Sequence, residues 1–317
     1  MDAPDLPPAL LAVPRRTRDL QAAGVTRYRI AGHLWTPVFR GVHAWCELDP
    51  AATMPRIMAA AALLPPGAAL GGWAALHLLG VRDLDGRAGP GGRRLLAVPI
   101  CLGPVGRMRP RPGILLDRSR LRDEDVTLAR GVPVTTAVRS CVDIMCRDGV
   151  EEGVVAGDAA ARFRVALPSD IRAYVDSLGG RRGVPAARTA AALLDGRAAS
   201  CTESRLRVVW VLEAGLPVPR VNVEVVDDAG FLLGEADLFD PWAAMVAEYD
   251  GKDHRDLARA TSDNIREELF ERANVVVVRA TALDLWPRRA QLVRRLQTGH
   301  RDGLARDRRR DRWRVRC

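Results

Sequence analysis

The last third of the chain holds acidic side chains whose spacing suits phosphoryl chemistry. Asp237 closes the run Glu235-Ala236-Asp237, and Glu248-Tyr249-Asp250 closes the next strand-like run. Period-2 alternation sets Glu248 and Asp250 on one face of their strand, and a neighbouring strand brings Asp237 level with them. Carboxylates converging on one sheet face repel and raise each other's pKa unless a cation joins them. An all-oxygen donor set favours Mg²⁺ or Mn²⁺, which activates water and neutralises charge on a phosphodiester. Lys252 and His254 follow just past the strand, where an ammonium or imidazole can orient water or stabilise a leaving group. Lys252 is the only lysine of the chain. Glu203 is a further metal-ligand candidate, although Ser200-x-x-Glu203 also reads as a capping box. Asp250-Gly251 equally reads as a plain turn signal.

The elements around these acids set their register. Thr202–Ala214 is an amphipathic helix stopped by Gly215 and Pro217. Residues 220–226 and 231–239 are strands joined by an Asp-Asp-Ala-Gly turn, and 244–249 is a third strand. A polar helix over 257–272, a β-branched strand at Val275–Val278 and a closing helix over 288–296 complete the order αβββαβα.

Upstream, Thr17-Arg18-Asp19-Leu20 starts a helix, Gly24 breaks it, and Thr26 can cap a second helix over 27–31. An alternating aromatic stretch with a glycine turn follows over 34–44. Helix, turn, basic helix and hairpin is the order of a winged helix-turn-helix, offering Thr26, Arg27 and Arg29 to a groove and Arg40 to a phosphate. A small helical cap with an edge hairpin has the same order. The middle of the chain mixes apolar helices and short strands near 95–102 and 113–116, and gathers no nucleophile with a base. We read it as scaffold, with His77 a packed histidine.

With these residues in place a family resemblance emerges. Glu203-Ser-Arg-Leu-Arg207, Asp237-Leu238, Val246-Ala-Glu-Tyr-Asp-Gly251, His254, Asp263, Arg266 and Val276-Val-Val-Arg279 resemble the very-short-patch-repair (Vsr)-like branch of the PD-(D/E)XK nucleases. The resemblance implies a restriction-endonuclease-like domain with metal at Asp237 and Glu248. The superfamily's Glu-x-Lys is here Glu248-Tyr249-Asp250, so the charge of the lost lysine would come from Lys252 or His254. A looser resemblance links Gly24–His43, Gly71–Gly80 and Gly131–Asp143 to AbiEi-type antitoxins, winged-helix transcriptional regulators. It implies a DNA-binding head and leaves any toxin partner undefined.

The expected architecture is therefore α/β (α+β) in four parts. These are a winged-helix head over 1–50, a mixed AbiEi-like scaffold over 51–198, a nuclease-fold domain over 199–298 and an Arg-rich tail over 299–317. The formal net charge of +9 points to a polyanionic partner, and eight arginines against three aspartates place over half of it after residue 300. That tail is either a solvated end or, with Trp313 among its arginines, a nucleic-acid contact. Six scattered cysteines lack zinc spacing and read as free thiols. No apolar run is long enough for a membrane span and the first residues lack a basic signal start, so we expect a cytoplasmic protein that does not meet the membrane. The function expected is metal-dependent endonuclease action on double-stranded DNA. The alternative is an antitoxin-like transcriptional regulator whose nuclease fold is non-catalytic.

Overall fold

The computed structural model describes residues 6–251 and 266–316. The chain is mixed α/β with several separate sheets, and it forms two compact units, Met1–Arg147 and Asp148–Cys317. The region expected as one scaffold over 51–198 is thus shared between them. Among the described residues no helix is long and apolar enough to cross a membrane.

The first unit opens with the short helix Pro8–Leu11 and strand Arg15–Arg16, then the helices Thr17–Ala22 and Arg27–Ile30 and the strands Trp35–Phe39 and Val42–Trp45. Leu20, Val25, Ile30, Trp35 and Trp45 form its small core. Two indoles seal it edge to face, Trp35 and Trp45, with centroids 5.5 Å apart. The residues between the core positions point outward: Arg27, Tyr28 and Arg29 are all exposed.

A five-stranded sheet follows, ordered Ile114–Asp117, Val98–Cys101, Ala69–Leu70, Val132–Thr135, Val126–Ala129. The last two strands form a hairpin that the sequence reading missed. Its turn residues Arg130 and Gly131 both have positive φ, 52° and 75°. Such turns normally announce themselves with Asn-Gly or Asp-Gly, and an arginine in the first place hides the signal.

In the second unit the helices Val150–Arg162, Pro168–Asp176 and Val184–Ala192 precede the capped helix Cys201–Val208. Two of these helices are tied together by charge. Asp158, fully buried, accepts from Ser204 Oγ at 2.7 Å and from the Arg207 guanidinium. Arg205 reaches Glu151 and Glu152 at 2.6 and 2.8 Å. The expected helix over 202–214 is not uniform: it widens to a π-turn over Val209–Glu213, where Ala214 N–H reaches Val209 O.

The sheet of this unit runs Val276–Ala280, Met245–Tyr249, Leu232–Asp240, Arg220–Val226, Arg314–Val315. The first two strands are parallel and the other neighbours antiparallel. Alternation along Met245–Tyr249 sorts its side chains between two cores. Met245 and Ala247 pack with Leu206, Trp210, Leu292 and Leu296 on one face, and Val246 packs with Phe239 and Phe270 on the other.

The expected tail is an integral part of this unit. The final helix extends over Arg289–Ala305. A side chain at Gly299 would meet Val278 at 2.9 Å, and one at Gly303 would meet the carbonyl of Ala243. These glycines are close-approach points, not stop signals. Beyond them, Arg314–Val315 adds an edge strand against Val225 and Val226. Trp313, in a segment read either as a solvated end or as a nucleic-acid contact, packs edge-on against Phe239 with centroids 5.0 Å apart.

Candidate functional site

Asp237 sits where the alternation of its strand breaks. Leu238 packs with Val221 in one core, yet Ala236, two residues away, packs with Val223 and Val225 in the core on the opposite face. Asn222, with φ of 47°, lies opposite the break, and the paired register skips it between Val221↔Leu238 and Val223↔Ala236. A left-handed residue turns the local backbone and re-aims the neighbouring side chains. Asp237 is thereby held against the next strand, where its Oδ2 accepts Tyr249 N–H at 2.7 Å. The pairs Phe239↔Val246 and Leu238↔Ala247 run up to it, so the same register continued by one residue sets Asp237 opposite Glu248.

Burial pushes the Asp237 carboxyl up to about 7, with the charges of Glu203 and Glu248 adding to the effect. The Tyr249 N–H and the more distant Arg266 charge oppose it without cancelling it. Glu203 arrives from the capped helix: Glu203 N–H donates to Ser200 Oγ at 3.1 Å, and Glu203 Oε2 accepts from Ala199 N–H at 2.8 Å and from Asn222 Nδ2 at 2.9 Å. The cap and the acid cluster therefore share one residue. Glu248 is buried and takes the Arg266 guanidinium on Oε2 at 2.9 Å. Arg266 belongs to a helix described over 266–272, whose Phe270 packs with Val246 and Phe239.

The structure thus brings Glu203, Asp237 and Glu248 into one electrostatic neighbourhood. Asp250 follows the strand end, its N–H donating to Ala280 O at 2.7 Å. Lys252, His254 and Asp263 lie outside the described residues. In the head, Thr26 Oγ1 accepts Arg29 N–H at 3.3 Å and caps its helix, while Arg27, Arg29 and Arg40 are exposed. His77, as expected of a packed histidine, is half-buried with Nδ1 3.1 Å from Leu84 O.

A second cluster, missed from sequence, lies in the first unit. The Cys101 Sγ and carboxylate oxygens of Asp117 and Asp143 all lie within 4.8 Å of one another, a grouping that can hold a metal ion. Among the described residues this trio meets that criterion and the trio Glu203, Asp237, Glu248 does not. Cys101 and Asp117 are register partners on adjacent parallel strands, and Asp143 comes from the helix Ala137–Asp148. Its donors are already engaged. Arg139 Nε reaches both Asp143 oxygens at 2.8 and 3.0 Å, Ser119 N–H reaches Asp117 at 2.7 Å, and the Cys101 thiol lies 3.9 Å from Asp143. Burial, then Asp143 and Asp117, push the thiol far above its ordinary value, so without a cation between them it stays protonated and faces Asp143 as a donor. The signal that would have found this cluster is Arg139 and Asp143, one helical turn apart, among the apolar residues 137–146.

Two uncharacterized proteins of Mycobacterium tuberculosis, from two strains, are 32% identical to this chain over 152 residues. The match covers 47% of this chain and 54% of each relative, so the chain spans about half the length of the curated relatives it matches. No family model and no solved structure matches.

Proposed function

We propose that this chain is a DNA-binding protein whose C-terminal unit carries a metal-dependent endonuclease-type site, hydrolysing phosphodiester bonds of double-stranded DNA in the cytoplasm. The observation carrying this reading is the meeting of Glu203, Asp237 and Glu248, from a helix and two strands, at a break in the sheet's alternation. Like charges held together in a partly dry site are the arrangement a divalent cation relieves. The donors are all oxygens and fit Mg²⁺ or Mn²⁺. Asp237 and Glu248 would hold the ion, with Glu203 or Asp250 assisting. The bound ion supplies an activated water and charge neutralisation at the phosphate.

The chain's own residues do the positioning. Tyr249 N–H fixes one Asp237 oxygen, and Asn222 fixes Glu203. Lys252 or His254 would move the proton or stabilise the leaving oxygen. The exposed Arg27, Arg29 and Arg40, with Thr26 at the helix start, would hold the duplex through its phosphates and groove.

A second reading has its own observation. The Arg266 guanidinium already faces Glu248 at 2.9 Å, placing a fixed cation beside the acid. This favours an antitoxin-like transcriptional regulator with a non-catalytic nuclease fold. Incubating the protein with plasmid and with mismatched duplex in Mg²⁺, Mn²⁺ and EDTA separates the two. Metal-dependent nicking lost in both Asp237→Ala and Glu248→Ala supports the nuclease. DNA binding without nicking, unchanged by either substitution, supports the regulator.

A further inference from the structure

We infer that the turn at Trp242, together with Arg308–Arg310, is a platform for single-stranded nucleic acid. Trp242 is 68% exposed at the turn between the two acid-bearing strands. The turn is built and braced. Asp240 Oδ1 accepts Trp242 N–H at 2.7 Å, the other Asp240 oxygen meets His300 Nε2 at 3.1 Å, and Trp242 O accepts Arg306 Nη1 at 3.0 Å. The Arg308 guanidinium stacks over the indole, 4.6 Å from its centroid.

The fold also sorts the arginines of the C-terminal segment. Arg306 is closed onto Asp311 at 2.9 and 2.8 Å, Arg312 faces Asp228 at 3.8 Å, and Arg316 faces Glu224 at 2.6 Å. Arg308, Arg309 and Arg310 are exposed on one short 3-10 turn capped by Asp307, and none pairs with a carboxylate among the described residues. Asn274 ties that turn down by donating to Asp307 O and to Asp311. The positive charge left over is thus gathered beside an open indole, with Asp302 the one exposed acid at the end of the preceding helix.

Charge alone would suit any polyanion. An indole already stacked by guanidinium adds a surface for a base, whose π-face is open in a single strand and hidden in a duplex. The bracing means that little ordering entropy is lost on contact. Asp237 lies three residues before its strand ends at Asp240, about 10 Å at strand rise, and Trp242 stands on the turn just beyond that end. Binding here does not require the acid cluster to cut anything.

The test is fluorescence anisotropy with labelled oligothymidylate and oligouridylate of about fifteen nucleotides, each against a duplex of equal length, in EDTA. Trp242→Ala is expected to weaken single-strand binding about tenfold, and Trp242→Phe to restore most of it. Replacing Arg308, Arg309 and Arg310 by alanine is expected to flatten the salt dependence by about two charges' worth. Single-strand binding in EDTA with no nicking in Mg²⁺ would separate this result from failure of the nuclease reading, since the anisotropy needs neither metal nor cleavage. Comparing the two single strands tells DNA from RNA. The inference is overturned if the parent protein binds no single strand, if Trp242→Ala binds as the parent does with its circular dichroism intact, or if heparin binding falls equally in Trp242→Ala.

Discussion

The charges around Arg139 and those around Asp237 are buried by opposite rules. Arg139, Asp125 and Asp143 are each almost wholly enclosed, and the guanidinium satisfies both acids, at 2.8 Å to Asp125 and 2.8 Å to Asp143. Its Nη1 also donates to Arg120 O and its Nη2 to Ser119 Oγ, both at 2.9 Å. Around Asp237, among the described residues, the acids Glu203 and Glu248 outnumber the one arginine, Arg266, that acts on it. Burial with Glu203 and Glu248 nearby raises the Asp237 carboxyl, and a single backbone N–H compensates it directly. A closed network serves the fold, because nothing remains for a ligand to offer. A site with surplus like charge is stabilised by whatever cation or proton arrives. The Cys101, Asp117 and Asp143 trio borders the closed network, and its Asp143 is already bonded through both oxygens to Arg139.

The comparison breaks most decisively at Arg139. Arg139→Met removes the cation shared by two buried carboxylates, leaving Asp125 only the more exposed Arg122 at 3.3 Å, and is expected to cost about 3–5 kcal/mol in urea unfolding. Adding Asp125→Asn and Asp143→Asn to it should recover much of that loss. A single-variant effect below about 1 kcal/mol would show that this network is not what holds the first unit.

The second test is the pH response of Asp237. Its folded-state value near 7 lies above the ordinary carboxylate value of 3.8, so between those values the folded chain binds a proton that the unfolded chain releases. The stability this proton supports is complete below about pH 4 and is lost as pH rises through 7. In EDTA, Asp237→Asn should therefore match the parent at pH 4 and exceed it at pH 8 by up to about 4 kcal/mol. Equal melting temperatures at both pH values would remove the contrast between the two clusters.

The two clusters also differ in how far they could be read from residues alone. The strands at Asp237 and Glu248 were legible because alternation, β-branching and turn residues agree there. Arg220–Val226 and Met245–Tyr249 fall within a residue of expectation. The break at Asp237 was not legible, since it depends on the positive φ of Asn222 across the sheet. Nor was the Arg139 network, whose Asp125 partner lies fourteen residues earlier in a stretch that reads as polar loop. The Arg-rich segment misled for another reason: composition described its charge, but its place in the sheet comes from Val315 pairing with Val225. Long-range pairing of short strands leaves almost no local trace.

A smaller effect is expected at Arg266. Its side chain is about a third exposed, so solvent screens the pair with Glu248. Arg266→Ala in EDTA should cost about 1 kcal/mol. If Glu248 prefers a metal ion, millimolar Mg²⁺ should restore that loss in the variant and do little for the parent. No response to Mg²⁺ in either protein would leave Arg266 as the permanent partner of Glu248 and favour the regulator reading.

The finest distinction concerns Glu203, which is both cap and acid. Its two hydrogen bonds, from Ala199 N–H and Asn222 Nδ2, end on the same oxygen. A glutamine oxygen can accept both, so Glu203→Gln removes the charge while keeping the cap. Glu203→Ala removes both and should cost about 1 kcal/mol near pH 4 and less at pH 8. Glu203→Gln should cost nothing near pH 4 and gain less than about 1 kcal/mol at pH 8, because one of the two acids that raise Asp237 is gone. Its melting temperature should then fall with pH around a midpoint below that of the parent. A midpoint that does not move would make Glu203 a capping residue only, leaving Asp237 and Glu248 as the whole of the acid pair.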